Sequence, residues 1–293
     1  MIPQPDSHAA RLRMPDAGAR PIRAPARIAA LPMYDLPELA PANDALWTAL
    51  ARRLRAAGIR GVPRTLTRDA PLASIWSDPN LLLAQTCGYP LIKDLAGQVR
   101  LVATPRYHAR GCDGPFHRSA VIVRLGQVAN GLADLRGARC ALNDPSSNTG
   151  MNLLRAEVAP LARGLPFFSQ IVTTGSHAAS AEAVVEGLAD VAAIDAVTFA
   201  QLQRHRPRTT DRLRVLMWTM RTPGLPLITS ARTDAHTRQI LAQALDDIVV
   251  DPSLRAERAA LLLEGFNALP QAHYRAVLHL EQIAEAQGFG ELR

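Results

Sequence analysis

Cys140-Ala141-Leu142-Asn143-Asp144-Pro145-Ser146-Ser147-Asn148-Thr149-Gly150-Met151-Asn152-Leu153-Leu154 is a short apolar run, a turn of small polar residues and an apolar helical start. Strand, polar turn and helix in that order predict one βα unit of an α/β sheet, with strand at 140–142 and helix over 150–158. Backbone N–H groups at a helix start have no intrahelical acceptor. Together with nearby hydroxyls and the positive end of the helix dipole, they favour an anion. One Ser or Thr suffices for ordinary capping, so the run Ser147-Asn148-Thr149-Gly150 admits both a cap and a binding turn.

The same device recurs downstream. Ile171-Val172-Thr173-Thr174-Gly175-Ser176-His177-Ala178-Ala179 reads as strand at 170–172, turn, then helix at 178–187, placing Ser176 and His177 at the helix entrance. A histidine at a loop also fits plain capping or surface exposure, but recurrence of one device in one lobe favours two turns facing a shared space. A third string, Gly187-Leu188-Ala189-Asp190-Val191-Ala192-Ala193-Ile194-Asp195, sets Asp195 just after a buried strand at 191–194, where open α/β sheets bind ligands. A carboxylate there needs a partner. It fits an acceptor for a protonated oxyanion or a ligand N–H, or the cap of the helix at 196–205.

Further outward, 120–123 and 213–217 read as strands, so a series of α/β signals runs from 105 to 218. On its N-terminal side, Arg27–Met33 predicts a buried strand, ended by the turn-like Tyr34-Asp35-Leu36-Pro37. A helix then carries Leu46, Trp47, Leu50 and Leu54 on one face, with Asn43 as its expected cap and Gly58 as its stop. Apolar runs at 81–86 and 99–104 complete a first α/β series. After the run at 225–230 the remainder reads as helical, through Ile240, Leu241, Leu245 and Ile248, then Leu261-Leu262-Leu263, then Val277, Leu278 and Ile283. The 293 residues exceed one ordinary core and suit two lobes.

Composition narrows the function classes. Hydrophobic residues make up 48% and charged residues 20%, ordinary for a globular chain. The net charge of +7 comes from 33 basic and 26 acidic residues, but no block of five or six like charges occurs, which argues against nucleic acid as a partner. Cys87, Cys112 and Cys140 form no CxxC pair and read as buried thiols. No metal constellation and no cofactor fingerprint is present, so neither is expected. No apolar run of membrane-helix length appears, so membrane insertion is not expected. Residues 1–26, rich in Pro, Ala and Arg, read as a disordered tail without the apolar middle of a signal peptide.

NDPSSNTG (143–150), TGSHAASAEAV (174–184) and GLADVAAIDAVT (187–198), supported by LPMYDLPE (31–38) and LLLAQTCGYPL (81–91), together resemble the phosphate/phosphonate-type substrate-binding proteins of ABC transporters. The resemblance implies the type 2 periplasmic-binding-protein fold: two α/β lobes, a central sheet in each, and ligand between them. It places lobe 1 at 27–104 and 219–293, lobe 2 at 105–218, and the two hinge crossings near 103–107 and 218–224. It implies a small anionic ligand, phosphonate, phosphite or phosphate-like, held without catalysis by a monomer that passes it to an ABC permease. Ser147, Asn148 and Thr149, with Gly150, map onto the oxyanion turn, and Ser176, His177 and Asp195 lie beside it. Tyr34, with adjacent Asp35, and Tyr89 are the nearest matches to first-lobe aromatics. Asp195 is expected to accept from a protonated ligand oxygen. Members that bind phosphonates commonly carry Ser-Thr-Ser before the glycine, whereas here Asn148 brings an amide. The resemblance points to the periplasm, and the lack of a signal peptide to the cytoplasm. A cytoplasmic enzyme on the same fold, with Asp195 and His177 as acid and base, and a ligand-sensing regulator are the alternatives.

Overall fold

The computed structural model describes residues 26–293. The expected tail at 1–26 therefore lies, except for its last residue, outside the described residues. The chain begins with β1 (Ile28–Ala30), α1 (Ala40–Ala56), α2 (Leu72–Ser77), β2 (Leu81–Gln85), α3 (Gly88–Lys93) and β3 (Val99–Tyr107). Two short strands, β4 (Cys112–Asp113) and β5 (Phe116–His117), lead into β6 (Ser119–Arg124), β7 (Arg139–Leu142), α4 (Leu153–Ala162), β8 (Gln170–Thr173), α5 (His177–Glu186) and β9 (Val191–Asp195). Then come α6 (Ala196–His205), α7 (Pro207–Thr210), β10 (Leu213–Trp218), β11 (Thr222–Pro223) and β12 (Leu227–Ser230). The chain closes with α8 (Ala235–Val250), α9 (Arg255–Ala260), β13 (Leu263–Asn267) and α10 (Arg275–Ala286).

Two five-stranded sheets result, ordered β1-β2-β12-β3-β13 and β10-β6-β9-β7-β8. This is the two-lobed α/β arrangement with one central sheet per lobe. The chain passes between the sheets at 108–118 and again at 219–226, and there β11, β5 and β4 form a small third sheet. The first crossing lies just beyond the expected 103–107, which is the end of β3 and still paired with β13. In the second sheet β8, β7 and β9 run parallel, so the chain leaves all three at the same edge. β7 is first in sequence, β8 lies on one side and β9 on the other. The loops after β7 and β9 therefore diverge and leave a crevice, the switch point where such sheets bind ligands. Parallel strands are covered on both faces, which is why β9 is buried at every position and reads as a continuous apolar run.

Local expectations differ in four places. α1 begins at Ala40, with Pro41 in its first turn, a position that suits proline because its missing N–H would have no partner there. Asn43 is not the cap; it is buried inside the helix and its amide donates to Tyr34 O and Asp35 Oδ1. The strand expected over 27–33 is shorter, because Pro32 opens a single 3-10 turn, 32–34, that carries Tyr34 into the interior. Leu263 begins a strand, not a helix, since nine-residue β3 extends beyond β12 and takes β13 along its free edge. Three apolar residues in a row do not distinguish the two outcomes.

The fourth difference concerns lobe membership. Val277, Ala284, Phe289 and Leu292 belong to the same buried cluster as Val121, Leu154, Val158 and Phe167 of the second lobe, and the Phe167 and Phe168 N–H groups donate to Arg293 O. Assigning all of 219–293 to the first lobe is therefore too broad: the C-terminus packs on the second lobe and α10 lies between α4 of the second and α3 of the first, where each buried Val, Leu or Phe contributes about 1.5–3 kcal/mol. Cys87 and Cys140 are buried thiols as expected, and Cys112 is half-buried. Among the described residues, no helix is long and apolar enough to cross a membrane.

Candidate functional site

The turn after β7 is built by its own side chains. Asp144 Oδ1 accepts from the Ser146 N–H and hydroxyl, the local closure typical of an aspartate turn. Ser147 Oγ accepts from the Gly150 N–H at 2.9 Å. The Met151 and Asn152 N–H groups both donate to Ser147 O, winding 148–152 into one wide π turn before α4. Such turns are frequent at functional sites. Gly150 is required by space: a Cβ there would sit 1.7 Å from Asn143 Oδ1.

The turn after β8 is stitched to it. The Thr174 N–H donates to Leu142 O and the Gly175 N–H to Asn143 O, while Ser176 Oγ caps α5 by accepting from the Ala179 N–H. The His177 ring thereby reaches the first turn, with Nε2 3.0 Å from Thr149 Oγ1. Ser119 Oγ donates to Thr149 O from behind. Burial pushes the His177 imidazole below its ordinary pKa, favouring the neutral ring.

A cleft of about 650 Å³ separates the lobes. Tyr34, Asp35, Ser147, Thr149, Ser176, His177 and Asp195 all border it, together with Asn143, Asp144 and Ser146. Tyr34 Oη, Asn143 Oδ1 and His177 Nδ1 are buried and have no hydrogen-bond partner. Asp195 Oδ2 and Gln201 Oε1 are two more. A buried polar atom left so costs about 1–3 kcal/mol, and five around one cleft mark a surface built for a polar ligand.

Tyr89, Asn148 and Gly150 do not border the cleft. The Tyr89 hydroxyl donates to Glu281, and Lys93 Nζ lies 2.8 Å from the same carboxylate oxygen. Burial acts to raise the Glu281 carboxyl, but hydrogen bonds from Lys93 and Tyr89 outweigh it and hold it below its ordinary value. Arg155 Nη2 stands 3.6 Å from Glu281 and donates to Asn152 Oδ1 at 2.7 Å. Asn152 Nδ2 donates to Asn148 Oδ1 and to Val277 O, and Asn148 Nδ2 donates to Thr222 Oγ1. The amide that departs from the Ser-Thr-Ser pattern thus braces the turn from behind. Even the Asn148 N–H is engaged, donating to Cys87 Sγ.

Asp195 also serves the fold. Its Oδ1 caps α6 through the Val197 and Thr198 N–H groups, and its Oδ2 lies 3.0 Å from His117 Nδ1. Burial acts to raise this carboxyl, but the His117 charge prevails and holds it low. Its Oδ2 also borders the cleft and makes no well-formed hydrogen bond, which leaves it able to accept from a protonated ligand oxygen. Asp35 is paired, with Arg68 Nε at 2.6 Å. Sequence reasoning passed over His117, Asn143 and Trp76. Asn143 had a signal, the first position beyond a parallel strand; the other two had none. Across the cleft, Arg206 at the end of α6 joins Glu38 of the first lobe to Glu182 of the second, at 2.9 and 3.0 Å.

Two lobes enclosing a cleft, with paired helix starts on one wall, define a two-lobed small-ligand-binding protein. Residues 28–274 match the family model described as ABC transporter, phosphonate, periplasmic substrate-binding protein, and the chain belongs to this family. It is accordingly a binding protein that serves uptake of a small ligand with a permease, not an enzyme on the same fold. Among solved structures, it is similar to a binding component of an ABC phosphonate transporter from Pseudomonas aeruginosa (16% identity, TM-score 0.72, covering 89% of this chain and 87% of that one). It is also similar to PhnD1 from Prochlorococcus marinus in complex with methylphosphonate (13%, TM-score 0.70, 90% and 98%). A Xanthomonas citri protein bound to ATP is a third (19%, TM-score 0.67, 89% and 98%). No curated protein sequence matches the chain.

Proposed function

We propose that the cleft grips the oxyanion head of a phosphonate-type ligand between the turns after β7 and β8, with Ser147, Thr149, Ser176 and His177 as its second-lobe contacts. The observation that carries this reading is the meeting of Thr149 and His177, 3.0 Å apart, at the starts of two helices on one cleft wall. Helix N-termini supply positive potential there, and the nearby Asp35 carboxylate is balanced by Arg68. Tyr34 closes over the head from the first lobe as the lobes rotate together. The protein works as a monomer, handing its ligand to a permease. Methylphosphonate in the Prochlorococcus structure is consistent with this ligand class.

Calorimetric titration with methylphosphonate and with phosphite tests the reading. Each hydrogen bond to a charged group is worth about 1.5–3 kcal/mol, so Thr149→Val and His177→Ala should each weaken binding by about 10- to 150-fold. Unchanged affinity in both variants would remove the two turns from the site.

A further inference from the structure

The same cleft is much larger than an oxyanion and unlike one in chemistry. At the roughly 30 Å³ taken by a water-sized group, a five-atom oxyanion accounts for about 150 Å³, against about 650 Å³ of cleft. That volume falls in the range of organic-ligand sites. The two walls also differ. The second-lobe wall carries Asn143, Ser147, Thr149 and His177, whereas the first-lobe wall continues from Met33 and Leu39 to Leu72, Trp76 and Leu95 between α2 and α3. Trp76 is 7% exposed and its Nε1 donates to Gln85 O, so the edge of the indole that reaches the cleft is hydrocarbon. Leu72 is 40% exposed, a large apolar side chain at the mouth of this groove. Among the described residues that line the cleft none is Lys or Arg, while Asp35, Asp94 and Asp144 are present. Asp35 is balanced by Arg68, but a second anionic group on the ligand near Asp94 or Asp144 would meet a carboxylate with no ion-pair partner among the described residues.

Resting on the oxyanion reading above, we infer that the ligand is a phosphonate with a single anionic head and a bulky, uncharged apolar substituent, aryl or branched alkyl, that lies along Leu72 and Trp76. The geometry gives the head to the second lobe and the substituent to the first, so closure brings both into contact at once. It also disfavours nucleotides, whose further phosphates have no cation to receive them.

Titration of the full chain with methylphosphonate, benzylphosphonate and ATP tests this. The expected result is benzylphosphonate binding at least about tenfold more tightly than methylphosphonate, in proportion to the apolar area it buries, and ATP binding most weakly. Leu72→Gln, a surface change that leaves the core intact, and Trp76→Ala should each reduce the benzyl-to-methyl ratio several-fold. Equal affinity for the two phosphonates, with both still dependent on Thr149, would overturn the substituent site and leave the oxyanion site standing. Tighter binding of ATP than of benzylphosphonate would also overturn it. Failure of every phosphonate to bind would sink the oxyanion reading itself, and this inference with it.

Discussion

The two faces of the turn at 147–152 are built on opposite rules. Behind it, Asn148 and Asn152 use both ends of their amides, and the chain of contacts runs through Arg155 to Glu281, Lys93 and Tyr89. In front, Tyr34, Asn143 and His177 each keep a buried polar atom without a partner. The back is fixed by polar contacts among protein groups, and the front withholds its polar groups for something else. Binding is thereby prepared at a cost in stability, the usual trade at functional sites.

The contrast is most exposed to attack at Glu281. Removing one partner of a buried ion pair costs about 3–5 kcal/mol, and Glu281→Ala strands buried Arg155 but leaves half-exposed Lys93 in water, so it should lose about 3 kcal/mol in chemical denaturation. A loss below about 1 kcal/mol would mean that the back of the turn is not held by this network. Asn148→Ser restores the hydroxyl seen in phosphonate-binding relatives and should cost about 1–3 kcal/mol of stability through the severed contacts to Asn152 and Thr222. The preference for phosphonate over sulfate should not follow it; a changed preference would place Asn148 at the front.

Tyr34→Phe probes the other face. Deleting an unpartnered buried hydroxyl should raise the stability of the ligand-free protein by up to about 1 kcal/mol, while weakening ligand binding. Any loss of ligand-free stability would show that the hydroxyl already has a structural role.

The smallest effect concerns pH. His177 has a folded pKa below its ordinary 6.5, so the unfolded chain takes up its proton first, and stability should fall as pH drops below about 6.5. His177→Gln should flatten that part of the curve. Asp195 and Glu281 carry lowered values, so their contributions are present above the ordinary carboxylate range and are lost only as pH falls through the lowered values. The chain has eight histidines, so it is the difference between the His177→Gln and unaltered denaturation midpoints from pH 7.5 to 5 that reports this one.

Much of the second lobe was legible because β7, α5, β9 and α6 each announce themselves by local pattern: an apolar run, small polar residues, then helical spacing. The same pattern brought forward Ser147, Thr149, Ser176 and His177, since capping chemistry is written within four residues of a helix start. What escaped was set by distant contacts. Tyr89 looked like a cleft aromatic, but Glu281, 192 residues away, claims its hydroxyl. That His117 comes to 3.0 Å from Asp195, from β5 of the small sheet at the hinge, had no local signal either. Trp76 sits on a six-residue helix, too short to show a period.

The sequence by itself determined the two α/β series and the two helix starts that border the cleft, because strand runs, caps and glycine stops act over a few residues. Only the tertiary structure decided which sides of those turns face the cleft, that Asn148 braces while Asn143 faces the cleft, and that the C-terminal helix packs between the two lobes. Those outcomes depend on which buried polar groups find partners across the fold, and a partner nearly two hundred residues away leaves no mark on the local sequence.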